Sequence, residues 1–208
     1  MKKLISTITL VVLVTTVLQA QDKGQFSIDL NFQPAAFFDA AASSMFSMPY
    51  IKARYFMSDD LAIRAGLGLS TSSSTNYTGA NENNYSKNSL FDFSIAPGIE
   101  KLIGSEKFFI YLGAEIPFGL SSSKTVQHNA NTTDTYINGG YTSIGLNFVI
   151  GVDYYIFNSV YIGTEFTPGL VYYMYNDEKT NSTITQKGGT STSFSLSGAS
   201  GLRIGFRF

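Results

Sequence analysis

Few residues of this chain have the side-chain chemistry that catalysis or metal binding requires. The 208 residues include one histidine, His128, and no cysteine. The polar neighbours of His128 do not give the spacing of a catalytic triad, so a general base is lacking and no enzymatic activity is predicted. One histidine without cysteine also disfavours a transition-metal site. Asp177 and Glu178 could bind Ca²⁺, but they lack the alternating acidic pattern of a calcium loop, and no cofactor is predicted.

A second group of ionisable residues follows a regular spacing. In the last eight residues, Arg203 and Arg207 alternate with Leu202, Ile204 and Phe206. The same alternation elsewhere puts acidic and basic side chains on one face of each segment. Because a buried charge without a partner is costly, such residues are expected to form ion pairs inside the molecule. Six residues are predicted to form this interior charge network: Asp29, Lys52, Arg64, Glu115, Glu165 and Arg203.

The elements that must position these side chains are β-strands. Strict alternation of apolar and polar residues is typical of a strand with two chemically different faces. Eight segments show it, with turn-forming residues between them. They lie near residues 25–34, 48–56, 61–70, 90–100, 108–119, 142–155, 160–173 and 193–208.

The connections between these segments alternate in length. Short connections are predicted at residues 57–60, 101–107 and 156–159, and long ones, rich in Ser, Thr, Asn and Gly, at 71–89, 120–139 and 174–192. Short turns on one rim and long loops on the other are typical of outer-membrane barrels, with the short turns in the periplasm. The connection at residues 35–47 contains several apolar residues. It could be an apolar contact patch at the outer rim, but an extension of the flanking strands is the favoured interpretation.

The composition of the polar face indicates which side of the strands points outward. In a water-soluble, lipocalin-like barrel the apolar face would line a cavity, whereas in a membrane barrel it faces lipid. Here the polar face carries charges of both signs with many glycines between them. Such a mixture can fill the narrow lumen of an eight-stranded barrel. The predicted fold is therefore an all-β, eight-stranded antiparallel up-and-down transmembrane β-barrel.

Strand positions also predict the depth of the interior charges. Counted from the short-turn ends, Arg203 and Glu165 lie at similar heights on neighbouring strands, and Asp29 lies near that height where the barrel closes. Lys52 and Arg64 approach the same level. The ion-pair network is therefore predicted to centre on Arg203, Glu165 and Asp29. It could serve only to plug the lumen, or it could form a polar pathway or gate for ions.

The N-terminus has the features of an export signal. Two lysines precede an apolar run at residues 4–18, and Ala20 marks a cleavage site. A signal peptide at residues 1–20 and a barrel domain at residues 21–208 are predicted. A membrane anchor is the alternative, but the run is short and contains five Ser and Thr residues. Without Lys2 and Lys3 the chain has 12 basic and 15 acidic residues, a net charge near −3 that argues against nucleic acid as a partner.

Two stretches carry a resemblance to a known family. Alternate apolar residues that end on a terminal phenylalanine resemble the C-terminal signal read by the outer-membrane assembly machinery: Leu202, Ile204, Phe206 and Phe208. Residues 51–68 are similar to the second hairpin of the small outer-membrane β-barrel family, of the OmpX and OmpA-barrel type. In that hairpin a Tyr-Phe-x-(Ser/Thr)-Asp segment forms the periplasmic turn. The mature chain as a whole resembles this family.

The resemblance implies an integral protein of the Gram-negative outer membrane. The implied partners are outer-membrane lipid, lipopolysaccharide and the assembly machinery, and a monomer is expected. The predicted function is a structural or surface-adhesive role in which polar extracellular loops meet an outside ligand. The alternative is a small, porin-like pore for ions or small solutes. A lipid-modifying enzyme is a third possibility, disfavoured because a general base is lacking.

Overall fold

The computed structural model describes residues 24–32, 51–78, 84–105, 107–129, 132–196 and 201–208. These residues form thirteen strands of one antiparallel sheet. Within them, no helix is long and apolar enough to cross a membrane. The strands are β1 Phe26–Phe32, β2 Ile51–Ser58, β3 Leu61–Tyr77, β4 Tyr85–Ser105, β5 Phe108–Glu115, β6 Phe118–Asn129, β7 Thr132–Phe157, β8 Val160–Phe166, β9 Gly169–Tyr175, β10 Glu178–Thr180, β11 Thr183–Gln186, β12 Thr190–Ser195 and β13 Gly201–Arg207.

The strand pairings run in a circuit. The order is β7–β5–β4–β3–β2–β1–β13–β8, and β8 pairs with β7 as well as with β13. The first and last strands are neighbours, from Ser27 opposite Arg207 to Phe32 opposite Leu202. Each strand of the circuit therefore has a hydrogen-bonded partner on both sides, which satisfies the backbone groups that lipid cannot satisfy.

At the short-turn end of the sheet, the connections predicted at 57–60 and 156–159 are confirmed, whereas most of the connection predicted at 101–107 is strand, because β4 continues to Ser105. Two-residue turns join β2 to β3 and β7 to β8. At the opposite end the predicted loops at residues 71–89 and 120–139 are wrong over most of their length, because the strands continue to Tyr77 and Asn129 and resume at Tyr85 and Thr132. The predicted loop at 174–192 likewise holds β10, β11 and the start of β12.

The physical reason for this error lies in the exposure of the long hairpins. Residues 71–78, at the end of β3 and one position beyond it, are exposed on both faces of the strand. A strand with two solvated faces needs no apolar alternation, so Ser, Thr and Asn can occupy every position while the backbone stays paired. Residues 1–20 and 35–47, where the signal peptide and the apolar connection are predicted, lie outside the described residues.

Prolines divide two of the predicted strands. The segment predicted at 108–119 is β5 and the start of β6, separated at Pro117, and the segment at 160–173 is β8 and β9, separated at Pro168. Proline has no N–H to donate to a ladder. Its carbonyl still accepts: the Gly145 amide donates to Pro117 over 2.9 Å, and the Phe148 amide donates to Pro168 over 2.8 Å. The sheet therefore continues across each break.

Exposure along the strands is the reverse of that in a water-soluble protein. On β2 the side chains of Lys52 and Arg54 are buried, while those of Ile51, Tyr55 and Met57 are 39–51 % exposed. Buried charges and a large exposed apolar surface are the informative departures from ordinary proteins. The apolar face points outward, as the sequence predicts.

A small apolar layer on the inner side extends from the short turns toward the middle of the strands. It consists of Phe56, Ala62, Leu102, Tyr111 and Val149. The guanidinium of Arg207 lies 4.4 Å from the centroid of the Phe56 ring, a cation–π contact. This layer borders the buried charged side chains that are described in the next subsection.

Candidate functional site

Nine ionisable side chains are buried together on the inner face, and we call them the inner charge cluster. Each is at most 5 % exposed, four are basic and five are acidic. They come from β1, β2, β3, β4, β5, β7, β8 and β13, so every strand of the pairing circuit contributes at least one. The nine residues are Asp29, Lys52, Arg54, Arg64, Glu100, Glu115, Asp153, Glu165 and Arg203.

Arg203 bridges three acids from different strands. Its Nη1 lies 2.9 Å from Asp29 and 3.3 Å from Glu165, and its Nη2 pairs with Asp153. A guanidinium can satisfy several carboxylates at once because its five N–H donors lie in one plane. The three residues at the centre of the predicted network, Arg203, Glu165 and Asp29, are thus in direct contact.

Glu165 is the most heavily contacted acid. Arg64 Nη2 donates to Glu165 over 2.9 Å, Lys52 Nζ pairs with the same carboxylate, and the Tyr111 hydroxyl donates over 2.9 Å. Arg64 also pairs with Glu115 at 3.2 Å. Such contacts offset the loss of hydration that burial imposes on each charge.

Arg54 forms the second bridge between acids. Its Nη1 lies 2.8 Å from Asp153 and 3.1 Å from Glu100, and its Nη2 lies 3.1 Å from Asp29. Its guanidinium carbon lies 5.0 Å from the centroid of the Tyr111 ring. Arg54 therefore combines ion pairs with a cation–π contact.

Glycines on the intervening strands let these side chains meet. Gly163 lies opposite Arg203 on one side and Asp153 on the other, and a Cβ at Gly163 would occupy the space of the Asp153 carboxylate. Gly98 lies in the same way between Arg64 and Glu115. A paired strand is about 4.8 Å wide, so the two partners sit roughly 10 Å apart at the backbone and meet only across a position without a side chain.

Tyrosines use the same arrangement. Tyr161 lies across Gly205, and its hydroxyl donates to Asp29. Tyr111 lies across Gly151 toward Glu165 in the same way. In each case a glycine lies between two polar residues on the flanking strands, and its missing side chain lets them meet. We call this arrangement the glycine rule.

The six residues predicted for the interior network all lie within the inner charge cluster. The prediction omitted Arg54, Glu100 and Asp153, although each lies on the predicted polar face. Spacing could have identified Arg54, which lies two residues from Lys52 and so on the same face of β2. Asp153 meets Arg54 across the interior, from a strand that does not pair with β2 and over a separation of 99 positions, so local spacing does not reveal this contact.

The residues predicted to form the C-terminal assembly signal lie outside the inner charge cluster. Leu202 and Phe206 are 40 % and 50 % exposed on the outer face of β13, with Ile204 on the same face and Phe208 paired with Phe26. Recognition of these four residues by the assembly machinery stays a prediction.

His128 lies in β6, not in a loop as predicted. Its Nδ1 is 2.6 Å from the Thr133 hydroxyl, and its ring stacks on Tyr85 with centroids 5.2 Å apart. No described residues form a group of three or more histidine and acidic side chains suited to a metal ion. The chemistry available to the inner charge cluster is ion pairing across the molecule.

Comparison with known proteins identifies the family. The model of the "Putative OmpA-OmpF-like porin family" matches residues 36–208. The chain belongs to this family. Its location is accordingly the bacterial outer membrane, and the family is one of outer-membrane β-barrels. No curated protein matches the chain.

Two solved structures are similar to this member of the porin family. Outer membrane protein W of E. coli, solved by NMR, has 12 % identity and a TM-score of 0.46, and the match covers 91 % of this chain and 100 % of that chain. Ail, the attachment invasion locus protein of Yersinia pestis, has 12 % identity and a TM-score of 0.40, and the match covers 89 % and 99 % of the two chains.

Proposed function

We propose that the protein is an eight-stranded transmembrane barrel with a plugged lumen and a structural or surface-adhesive role. The observation that carries this proposal is the inner charge cluster, in which acids and bases from eight strands contact one another directly. A conducting lumen needs water between opposite walls, whereas Arg64 lies 2.9 Å from Glu165 and Arg54 lies 2.8 Å from Asp153. Each of these two pairs joins strands that are four places apart in the circuit of eight. Such pairs fill the narrow interior that eight strands enclose.

The long hairpins support the surface role. The β3–β4 pairing continues to Tyr77 opposite Tyr85, far beyond the level of the inner charge cluster. The rings of Tyr85 and His128 stack on this surface, and Tyr77 is 60 % exposed. Rigid paired strands with exposed aromatic side chains lose little conformational entropy on contact with a partner, which favours a role in adhesion.

A small pore is the second candidate function. The family description names porins, which favours transport of ions or small solutes. In that case the ion pairs of the inner charge cluster would have to open, and conduction would depend on their charges.

Single-channel recording separates the two candidates. The refolded protein is placed in a planar bilayer, and the gel shift between unheated and boiled samples verifies that it is folded. We expect a shifted protein that stays electrically silent. Reproducible open steps would reject the plugged barrel, and a change of ion selectivity on Glu165→Gln would assign them to this lumen.

The remaining aspects of the proposal concern partners and processing. We propose removal of a signal peptide at residues 1–20, contact with lipid and lipopolysaccharide, insertion by the assembly machinery and a monomeric state. We also propose that the protein is not an enzyme, because its single histidine contacts a threonine hydroxyl and a tyrosine ring.

A further inference from the structure

A second group of side chains lies on the inner face beyond the inner charge cluster, on the side of the long hairpins. It consists of Tyr141, Tyr173, Tyr175 and Asp92, and we call it the tyrosine cup. Strand pairing places its members in two adjacent rows. Asp92 lies opposite Ser121, Ser121 opposite Tyr141, and Tyr141 opposite Tyr175.

The tyrosine cup faces the same interior as the inner charge cluster. The β7–β9 pairing runs from Tyr141 to Asn147 in continuous register. The Asn147 amide donates to Glu115 over 3.0 Å, so its side chain points inward. Tyr141 is an even number of residues away and lies on the same face. Six residues of strand separate Tyr141 from Asn147, roughly 20 Å along β7.

The three rings form a corner. Tyr141 meets Tyr173 at a centroid distance of 5.2 Å and an interplanar angle of 81°, and it meets Tyr175 at 6.2 Å and 70°. Tyr173 and Tyr175 are stacked at 20° to each other. Two aromatic walls therefore stand at nearly a right angle. Asp92 lies in the same row as Tyr141, with only the small side chain of Ser121 between them.

Small residues flank these rings on the inner face. The row that contains Tyr173 continues through Ser143, Gly119 and Ser94. A Cβ at Gly119 would approach the Ser143 hydroxyl to 2.5 Å, so these two positions share the inner face. The positions that flank the rings thus offer hydroxyl groups, backbone and one carboxylate.

We propose that the tyrosine cup binds an organic cation of the quaternary ammonium class. The negative face of an aromatic ring attracts a cation, and several rings around one site are the usual means of recognising quaternary ammonium groups. The Asp92 carboxylate supplies the opposite charge. The site goes beyond the proposed structural role, and its test does not depend on whether the lumen conducts.

Calorimetric titration of the refolded full chain with choline tests the proposal. The protein is held in a maltoside detergent, because phosphocholine detergents and lipids carry the proposed ligand themselves. 3,3-Dimethylbutanol, which has the shape of choline without its charge, is the control ligand. We expect choline to bind and the neutral analogue to bind about tenfold more weakly or not at all.

Variants locate the binding. Asp92→Asn, which keeps the shape of the side chain, and Tyr173→Leu should each weaken choline binding by about tenfold. Tyr172→Leu is the matched control on the same strand, since Tyr172 lies on the outer face and is 38 % exposed. Its choline affinity should be unchanged. The gel shift verifies folding of each variant, and Asp92→Asn alone decides the case if Tyr173→Leu does not fold.

Three results would overturn the proposal. They are an absence of choline binding by the folded protein at millimolar concentrations, equal binding of choline and its neutral analogue, and unchanged affinity in Asp92→Asn.

Discussion

Replacement of Arg203 by alanine is the most direct test of the inner charge cluster. The guanidinium contacts Asp29, Asp153 and Glu165, and it also lies 5.0 Å from the centroid of the Tyr111 ring. Removing one partner of a buried ion pair costs about 3–5 kcal/mol, because the opposite charge is left buried. The structure decides where in that range Arg203→Ala should fall.

Each acid that loses Arg203 keeps another basic partner. Asp29 and Asp153 both remain in contact with Arg54, and Glu165 remains in contact with Arg64. None is therefore left without a positive charge nearby. We expect a loss in the free energy of unfolding at the lower end of the range, about 3 kcal/mol.

Urea unfolding from lipid vesicles measures this loss. Arg207→Met is the control, because Arg207 lies on the same strand and contacts the Phe56 ring at the rim; it should cost about 1 kcal/mol or less. If Arg203→Ala loses no more stability than Arg207→Met, the ion pairs do not hold the strands together and the reasoning is refuted. A loss well above 5 kcal/mol would mean that Arg54 and Arg64 do not compensate.

Three other predictions follow from single contacts. Gly163→Ala places a Cβ against the Asp153 carboxylate and 2.6 Å from a backbone oxygen, so the unfolding free energy should fall by about 1–3 kcal/mol in the same urea assay, and an unchanged midpoint would reject the glycine rule. Leu67→Arg puts a charge on the outer face, where Leu67 is 45 % exposed and lies between Ile51 and Ile95 on the neighbouring strands; refolding into vesicles should lose about 2–4 kcal/mol, and a neutral effect would argue against lipid contact. The Ser58 hydroxyl donates to Asp60 over 2.8 Å and lowers the pKa of Asp60 at the short turn. A carboxyl group whose pKa is lowered by folding adds stability above its unfolded pKa, and this stability is lost as the pH falls through the folded pKa. Ser58→Ala should therefore raise the pKa of Asp60 in an NMR titration and weaken the loss of stability in acid. An unchanged pKa would exclude the hydrogen bond in solution.

Local spacing was sufficient for much of the fold. Period-two alternation predicted the faces of β2, β8 and β13, including the inward position of Lys52, Glu165 and Arg203 and the outward position of Leu202. It succeeded because a strand fixes side-chain direction from one residue to the next. It failed for residues 71–78, where both faces are solvated and the apolar signal disappears.

By itself, the sequence determined the strand faces, the outward apolar surface and the set of charges available to the interior, because each depends only on neighbouring residues. Tertiary structure alone decided which charges meet. Arg54 contacts Asp153 from 99 positions away, and Gly163 lets Arg203 reach Asp153 across an intervening strand. These contacts depend on the register between strands, which is fixed by hydrogen bonds between distant segments and leaves no local pattern.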